Sequence, residues 1–395
     1  MRDYHIRRDD VKKLSPADRT ILCSAYLHRF LTFGQMLMYY GKESPKVTYA
    51  AWHLKKLVGR GFLTPITYGA SQTGYFLTSA GIYLAKRLFA IPSTYLPEAP
   101  RRCLDYTWRA GDLKMHPSKL NHQEHLNTFA IKFAQAADGM GWAYFDEKFV
   151  PDKKIYSTRA RADALAEMQS ISLYFELDMN TERLLNLCEK WIGYRTLCAS
   201  NEFLDALEQK PAAILFILDN DPKPDMRRKT VLKSLEQSGF LGWLGPNLDF
   251  YLGSADEILE TTFQHILCKD SAFLQRVKAA IPLQEKIFSC EDVQSPDLYG
   301  EINGEMWSVD VYDRVRGSVL RRVLTSNSDR VFLTAAEGRP VKHLVVTNDP
   351  EGLKKDIVAI NCQGLRDVYC ADINDLETKP FQNALFQVNK FGARE

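Results

Sequence analysis

The sequence lacks the features that mark several classes of protein. None of its eight cysteines form a CxxC pair, and their scattered spacing argues against both a zinc ribbon and a disulfide framework. Long hydrophobic runs are also missing, because the longest ones, such as residues 212–218, have the length of a strand and cannot span a bilayer. The polar, charged N-terminus shows no secretory signal. We therefore predict a cytoplasmic protein with no membrane partner.

Net charge is nearly absent as well, but its distribution along the chain is uneven. The chain has 51 Lys+Arg against 49 Asp+Glu. Residues 1–120 contain 19 basic and 8 acidic side chains, a net of +11, whereas the remaining 275 residues contain 32 and 41, a net of −9. Because phosphate neutralisation supplies much of the affinity for DNA, this asymmetry favours a nucleic-acid-binding module in the N-terminal part.

Residues 44–78 have the pattern of the recognition half of a winged helix-turn-helix. Ser44 and Pro45 predict the start of a helix, and Gly61 suits its C-terminal end. Two short strands, 62–64 and 74–77, then enclose a polar tip. One side of the helix carries apolar residues at helical spacing, namely Val47, Ala50, Ala51, Leu54, Leu57 and Val58.

The opposite side of this helix is cationic and aromatic, and it is the predicted DNA-binding surface. Its residues are Lys46, Thr48, Tyr49, Trp52, His53, Lys55, Lys56 and Arg60. A helix with this surface and a hairpin behind it is typical of proteins that read a DNA groove, so double-stranded DNA is the predicted partner. Winged helices also serve as protein-docking modules, and this alternative stays open.

Capping signals predict the other helices of the same domain. Ser15–Asp18 opens a helix that continues to Arg29, and Thr32–Gln35 opens a second helix through Tyr40. Thr78 or Ser79 caps a fourth helix that runs to about residue 89. Residues 1–90 are therefore predicted to form a winged helix-turn-helix DNA-binding domain, and 91–120 a basic linker interrupted by prolines.

Residues 121–262 alternate helical and strand patterns and predict an α/β domain. Three acidic residues, Asp163, Glu176 and Asp178, stand at the ends of predicted strands. Carboxylate oxygens suit Mg²⁺, which polarises a phosphodiester and activates water, so these three are the predicted metal ligands. Glu124 on the preceding helix is a further candidate carboxylate. His122 and His125 lie three apart on that helix, a spacing that can ligate a metal. Because no cysteine or acidic partner at HExxH spacing accompanies them, they are interpreted as surface or packing residues.

The segments Arg161–Ala162–Asp163 and Glu176–Leu177–Asp178 resemble the PD-(D/E)xK nuclease core, with Asp178 in the place of the lysine. In some members of that superfamily a basic residue of the following helix substitutes, and Lys190 is the candidate here. The resemblance implies a catalytic set of Asp163, Glu176, Asp178 and Lys190 working with Mg²⁺, in a possible endonuclease. A nuclease-like fold kept for binding alone is the alternative.

The whole arrangement resembles the replication-relaxation family of plasmids and integrative elements, over roughly residues 15–220. Its marks are residues 75–81 at the end of the wing, 161–164, 175–182, and the helix with Lys190 and Tyr194. Ala162 stands where many members have proline. The resemblance implies a winged helix followed by a nuclease-like domain, acting on DNA together with other mobile-element replication or transfer proteins.

Residues 263–395 are predicted to form a second, degenerate nuclease-like α/β domain, so that the unit is duplicated. Asp310 follows Asp297 by thirteen positions, as Glu176 follows Asp163, and Tyr312 stands where the first copy has Asp178. In both copies an Asn-Asp-Pro segment follows a buried strand. Chance similarity between two α/β segments is the alternative.

These patterns together predict a DNA-binding protein of a mobile genetic element that acts in replication or conjugative transfer, with metal-dependent nicking as an added hypothesis. One alternative is a winged-helix transcriptional regulator whose catalytically inactive nuclease-like domain dimerises or binds a partner. A scaffold that docks other transfer proteins is a third interpretation.

Overall fold

The structure of the protein is a computed structural model, in which the chain forms two compact units. One unit comprises Met1–Pro151 with Ala162–Leu177, and the other comprises Asp152–Arg161 with Asp178–Glu395. The structure describes all residues except 1–10, 12, 40–46, 90–95, 100, 106, 139, 148–161, 201–202, 204–209, 220–222, 245–246, 262–270, 291–294, 363–364, 366 and 389–395. In this described part of the chain, no helix has the length and apolar character needed to cross a membrane.

The first unit begins with four helices and a small sheet. In chain order these elements are α1 (Pro16–Leu27), β1 (Phe30–Thr32), α2 (Phe33–Met38), α3 (Val47–Gly59), β2 (Leu63–Tyr68), β3 (Gln72–Leu77) and α4 (Ser79–Phe89). Strand β3 lies between β1 and β2, and both pairings are antiparallel. The predicted order of three helices, a hairpin and a helix is therefore present, with β1 added. The hairpin is longer than predicted, because its strands leave only residues 69–71 for the tip.

Local capping explains where these helices begin. Ser15 Oγ accepts a hydrogen bond from Asp18 N at 3.1 Å, and the Asp18 carboxylate accepts one from Ser15 N at 2.9 Å. Thr32 and Gln35 form the same reciprocal pair, so both predicted capping boxes are confirmed. Ser44 and Pro45, the predicted start of α3, lie outside the described residues.

Helix α1 is shorter than predicted, because Arg29 is not part of it. The helix ends at Leu27, and Arg29 has the left-handed φ of 61°. This conformation directs its guanidinium to the buried carboxylate of Asp146, with Nη1 at 2.8 Å from Oδ1. Gln123 donates to the other oxygen of Asp146, also at 2.8 Å. Arg29 therefore ties the chain after α1 to strand β4 (Trp142–Asp146).

The rest of the first unit contains one long helix and an antiparallel sheet. Its elements are α5 (Arg101–Asp105), α6 (Ala110–Leu113), a 3₁₀ turn (Pro117–Lys119), α7 (Leu120–Ala136), β4, β5 (Ala164–Met168) and β6 (Ser172–Asp178), whose last residue opens the second unit. Strand β5 pairs with both β4 and β6. Phe129 and Phe133 of α7 pack against Phe175 of β6. The predicted linker, 91–120, thus includes short helices in its described part.

The second unit alternates helices with strands, which pair both parallel and antiparallel. Its first elements are α8 (Leu184–Cys198), β7 (Ala212–Leu218), α9 (Pro224–Gln237), a 3₁₀ turn (Leu241–Trp243), β8 (Leu248–Ser254), α10 (Ala255–Thr261) and α11 (Ala272–Ala280). Strands β7 and β8 are parallel neighbours. Residues 212–218 are buried along their whole length. Because both faces of this strand are covered, its sequence is an unbroken apolar run and lacks the polar alternation of a half-exposed strand.

A six-stranded sheet forms the remainder of this unit. Its elements are β9 (Gln284–Glu285), β10 (Leu298–Ile302), β11 (Glu305–Tyr312), α12 (Gly317–Glu337), β12 (Val341–Thr347), α13 (Pro350–Ala359), β13 (Val368–Asp372), α14 (Ile373–Thr378), α15 (Phe381–Ala384) and β14 (Leu385–Gln387). The strand order is β14-β13-β12-β11-β10-β9. The central strands β11, β12 and β13 are parallel, whereas the outer pairings are antiparallel.

Candidate nucleic-acid interface and carboxylate sites

Helix α3 has one exposed and one buried side, and the division differs in part from the prediction. Thr48, Tyr49, Trp52 and Lys55 are exposed, with 46% of Tyr49 and 57% of Trp52 accessible to solvent. The buried side contains Ala50, Leu54 and Leu57, as predicted. The apolar stripe is narrower than expected, however, because Val47 and Ala51 are exposed. Large apolar and aromatic groups therefore protrude from the N-terminal half of α3.

His53 lies on the buried side of α3, so its predicted placement on the exposed face is wrong. Its Nδ1 is 2.7 Å from Asp18 Oδ1 and 3.3 Å from Ser15 Oγ. Lys56 Nζ donates to the other oxygen of Asp18 at 2.7 Å. Burial raises the pKa of Asp18, but the hydrogen bonds from Lys56 and His53 outweigh it and hold that pKa below its ordinary value. His53 and Lys56 thereby anchor α3 to the start of α1.

The exposed aromatic side chains of α3 are held in place by their neighbours. The rings of Tyr49 and Trp52 meet the His53 ring edge to face, with centroids 4.3 and 4.8 Å apart. Lys56 Nζ lies 5.2 Å from the centre of the Trp52 ring, and Arg60 lies 4.9 Å from that of Phe62. Lys46, the remaining predicted contact, is outside the described residues. The surface is therefore an aromatic patch flanked by cations.

The hairpin β2–β3 is connected to helix α7 by a buried tyrosine. Tyr68, at the end of β2, donates its hydroxyl proton to Glu124 Oε2 at 2.6 Å. Burial and the Glu124 carboxylate both raise the pKa of the Tyr68 hydroxyl, which keeps it protonated as a donor. Glu124, considered from the sequence as an extra metal ligand, is thus engaged in orienting the hairpin.

Asp163 is held at the start of a hairpin formed by β5 and β6. Its Oδ2 accepts a hydrogen bond from Leu177 N at 2.9 Å, while its own N donates to Phe175 O at 3.0 Å. His122 Nε2 lies 3.4 Å from the same Oδ2 and 3.1 Å from Leu177 O. Glu176, on β6, is buried. Sequence reasoning missed this role of His122, because no motif at fixed spacing links α7 to the hairpin.

Asp178 is saturated by an arginine of helix α9. Arg227 Nη2 donates to Asp178 Oδ1 at 2.7 Å, and its Nε contacts Oδ2. Both carboxylate oxygens of Asp178 are therefore hydrogen-bonded, and the residue is buried. Lys190 Nζ lies 3.4 Å from Glu182 Oε1. No short sequence spacing connects Arg227 with Asp178, so the pair could not have been anticipated from the pattern.

This geometry does not fit the metal site predicted at Asp163, Glu176 and Asp178. A carboxylate that binds Mg²⁺ must offer an oxygen to the ion, and both oxygens of Asp178 already accept hydrogen bonds from the guanidinium of Arg227. Across the described residues, no group of three or more His, Cys, Asp or Glu side chains is arranged to hold a metal ion.

The hairpin of β10 and β11 holds Asp297 in the same way as the earlier hairpin holds Asp163. Asp297 Oδ2 accepts from Val311 N at 2.8 Å, fourteen positions later, the same separation as between Asp163 and Leu177. Here Arg316 Nη1 also donates to both oxygens of Asp297, at 2.8 and 2.7 Å. The second aspartate is therefore neutralised by a guanidinium.

The neighbouring Asp310 of β11 is enclosed by two basic side chains. Arg322 Nε donates to its Oδ2 at 2.6 Å, and His343 Nε2 lies 2.7 Å from the same oxygen. Burial alone would raise the pKa of Asp310, but Arg322 and His343 reverse that effect and hold it well below its ordinary value. Asp310 is thus a buried, ionised anchor for Arg322 and His343.

Comparison with known protein families finds a match to part of this chain. Residues 22–209 match the family model described as replication-relaxation, and this range contains α3, the Asp163 hairpin and Lys190. No curated protein and no solved structure matches the chain. The resemblance predicted from the sequence is therefore confirmed over residues 22–209.

Proposed function

We propose that the protein binds double-stranded DNA through a winged helix made of α1–α4 and β1–β3, in the replication or transfer of a mobile element. The observation that carries this proposal is the exposed face of α3, where Thr48, Tyr49, Trp52 and Lys55 protrude together. The replication-relaxation match over residues 22–209 supports the mobile-element context.

The chemistry of this face suits a DNA groove. Lysine side chains neutralise phosphates without reading sequence, whereas threonine and aromatic groups contact base edges and thymine methyl groups. The hairpin tip, residues 69–71, is exposed and offers a second contact beside the helix. The net charge of +11 over residues 1–120 favours association with a polyanion.

The α/β part supports the proposal of a nuclease-like fold that is kept for binding. The Asp163 and Asp297 hairpins share one hydrogen-bond arrangement. Parallel strand pairings, β7 with β8 and β11 with β12, are also found in both regions of the chain. These two observations support a duplicated unit. The Asp178–Arg227 pair weighs against metal-dependent nicking. This combination also favours the second candidate, a winged-helix transcriptional regulator with an inactive nuclease-like domain.

The proposal is tested by measuring the affinity of the full chain for duplex DNA in retardation or anisotropy assays. Trp52→Ala should weaken binding at least about tenfold, since burial of a large apolar side chain contributes about 1.5–3 kcal/mol. Lys55→Ala should weaken binding to all sequences alike. Lys229→Ala removes the same charge from an exposed position on α9 and serves as the matched control. Equal affinity of all three variants and the wild type would reject α3 as the DNA-binding surface.

The nicking hypothesis is tested on supercoiled plasmid with Mg²⁺ or Mn²⁺. We expect no relaxation by the wild type beyond that by Asp163→Asn. Metal-dependent nicking that Asp163→Asn abolishes would instead restore the endonuclease interpretation.

A further inference from the structure

The exposed side of α3 has few of the residue types that read the edges of paired bases. Arginine or lysine reads guanine, and asparagine or glutamine reads adenine. Helix α3, which the structure describes along its whole length, contains no Arg, Asn or Gln. Of its two lysines, Lys55 is exposed, whereas Lys56 is half-buried and bound to Asp18 at 2.7 Å. Thr48 and Lys55 are thus the main side chains left for direct readout of an intact duplex.

The same side presents large apolar and aromatic groups instead. Val47, Tyr49 and Trp52 are all exposed. Tyr49 and Trp52 are three positions apart, so their side chains are neighbours on one face of the helix. Large apolar groups that lie together on a surface mark a binding site, because their contact with water is unfavourable.

The two aromatic rings are supported from below by a buried side chain. Both meet the ring of His53 edge to face, and Asp18 holds His53 at 2.7 Å. Lys56 Nζ also lies over the ring of Trp52. A side chain that is already held by its neighbours loses less conformational entropy when a ligand binds to it. The rings are therefore well placed to receive a flat ligand.

We propose that Trp52, with Tyr49 beside it, stacks on unpaired bases, so that the protein prefers duplex DNA with a locally melted segment to intact duplex. This inference rests on the proposed binding of DNA by α3 and names the state of the DNA that α3 recognises. An aromatic ring stacks on any base, because every base has a π-face. The net charge of +11 over residues 1–120 attracts the phosphates of paired and unpaired strands alike.

The preference follows from the free energy of unstacking. In an intact duplex a base must leave its stack before an aromatic side chain can contact its face, whereas in a melted segment this step has already occurred. The same contact with Trp52 therefore contributes more to the net affinity for melted DNA. A helix that read only the edges of paired bases would show the opposite preference, because melting removes the groove.

The test compares the affinity of the full chain for two duplexes of equal length in anisotropy assays, one fully paired and one with a central run of mismatches. The wild type should bind the mismatched duplex about tenfold more tightly, the effect of one base–aromatic stack. Trp52→Leu keeps an apolar side chain but has no π-face, and it should lose the preference. Trp52→Phe keeps an aromatic ring and should retain most of it. Lys55→Ala is the control and should weaken binding to both duplexes by the same factor.

Two results would overturn the inference and leave DNA binding by α3 standing: equal affinity of the wild type for both duplexes, or a preference that Trp52→Leu retains. A wild type that binds neither duplex would refute the DNA-binding proposal and the inference together. If Trp52→Leu does not fold, Tyr49→Leu replaces it and should reduce the preference. An unreduced preference in that variant would equally reject stacking.

Discussion

The two aspartate hairpins share a backbone arrangement but differ in their neighbours. Asp163 and Asp297 each accept a hydrogen bond from the backbone N–H fourteen positions later. Arg316 binds both oxygens of Asp297, whereas Asp163 has His122 at 3.4 Å and remains 24% exposed. The comparison teaches that the hairpin only places the carboxylate, and that the adjoining side chains decide whether it is an internal anchor or a solvent-facing group.

The largest expected effect comes from breaking the second hairpin. Arg316→Ala should lower the free energy of unfolding by about 3 kcal/mol, because it leaves the carboxylate of Asp297 without its counter-charge. His122→Ala is the matched change at the first hairpin and should cost less than about 1 kcal/mol, as it removes a partly exposed contact. Urea unfolding measures both. Equal losses in the two variants would show that the hairpins do not differ in the way described.

A smaller effect is expected on acidification. Asp310 has a lowered pKa, so its stabilising contribution is fully present above the unfolded-state pKa of about 4 and is lost as pH falls through the folded-state pKa. The free energy of unfolding should therefore decrease below about pH 4, by at most about 1.4 kcal/mol per pH unit for this group. Urea unfolding at several pH values tests this, and Asp310→Asn should flatten the dependence. A wild-type profile as flat as that of the variant would contradict the proposed anchor role.

The ion pair between Asp178 and Arg227 makes a prediction about metal binding. Because the guanidinium of Arg227 already binds the carboxylate of Asp178, neither addition of Mg²⁺ nor treatment with EDTA should change the Tm of the wild type. Arg227→Ala removes the guanidinium from the carboxylate of Asp178. Comparing the effect of Mg²⁺ on the Tm of this variant and of the wild type shows whether Arg227 prevents metal binding. A rise in wild-type Tm that depends on Mg²⁺ and vanishes in Glu176→Ala would show that the carboxylates do bind metal.

Sequence spacing predicted those features that local geometry determines. Both capping boxes depend on contacts three positions apart, and the hairpin that follows Asp163 joins it to Leu177, fourteen positions later; the structure shows all of them where expected. His53 was misplaced because its partner, Asp18, lies 35 positions earlier. Such a pair forms only when two helices pack together. Helical periodicity alone therefore cannot distinguish a buried, paired histidine from an exposed cationic side chain.

The carboxylate sites show the same limit of prediction from sequence spacing. The spacing of Asp163, Glu176 and Asp178 suggested convergence on a metal, but Arg227, 49 positions beyond Asp178, neutralises one member of the set. His122 approaches Asp163 from α7, and no spacing in the sequence links this helix to the hairpin. Long-range ion pairs therefore decide the chemistry of these sites.

The salt dependence of duplex binding tests the central claim, that α3 presents a DNA-binding surface, most directly. Each phosphate contact contributes about 0.9 to the slope of log affinity against log salt concentration. Lys55→Ala should reduce that slope by about one contact, whereas the control Lys229→Ala should leave it unchanged. A wild type that fails to bind duplex DNA at low salt, or a slope that Lys55→Ala does not alter, would contradict the account.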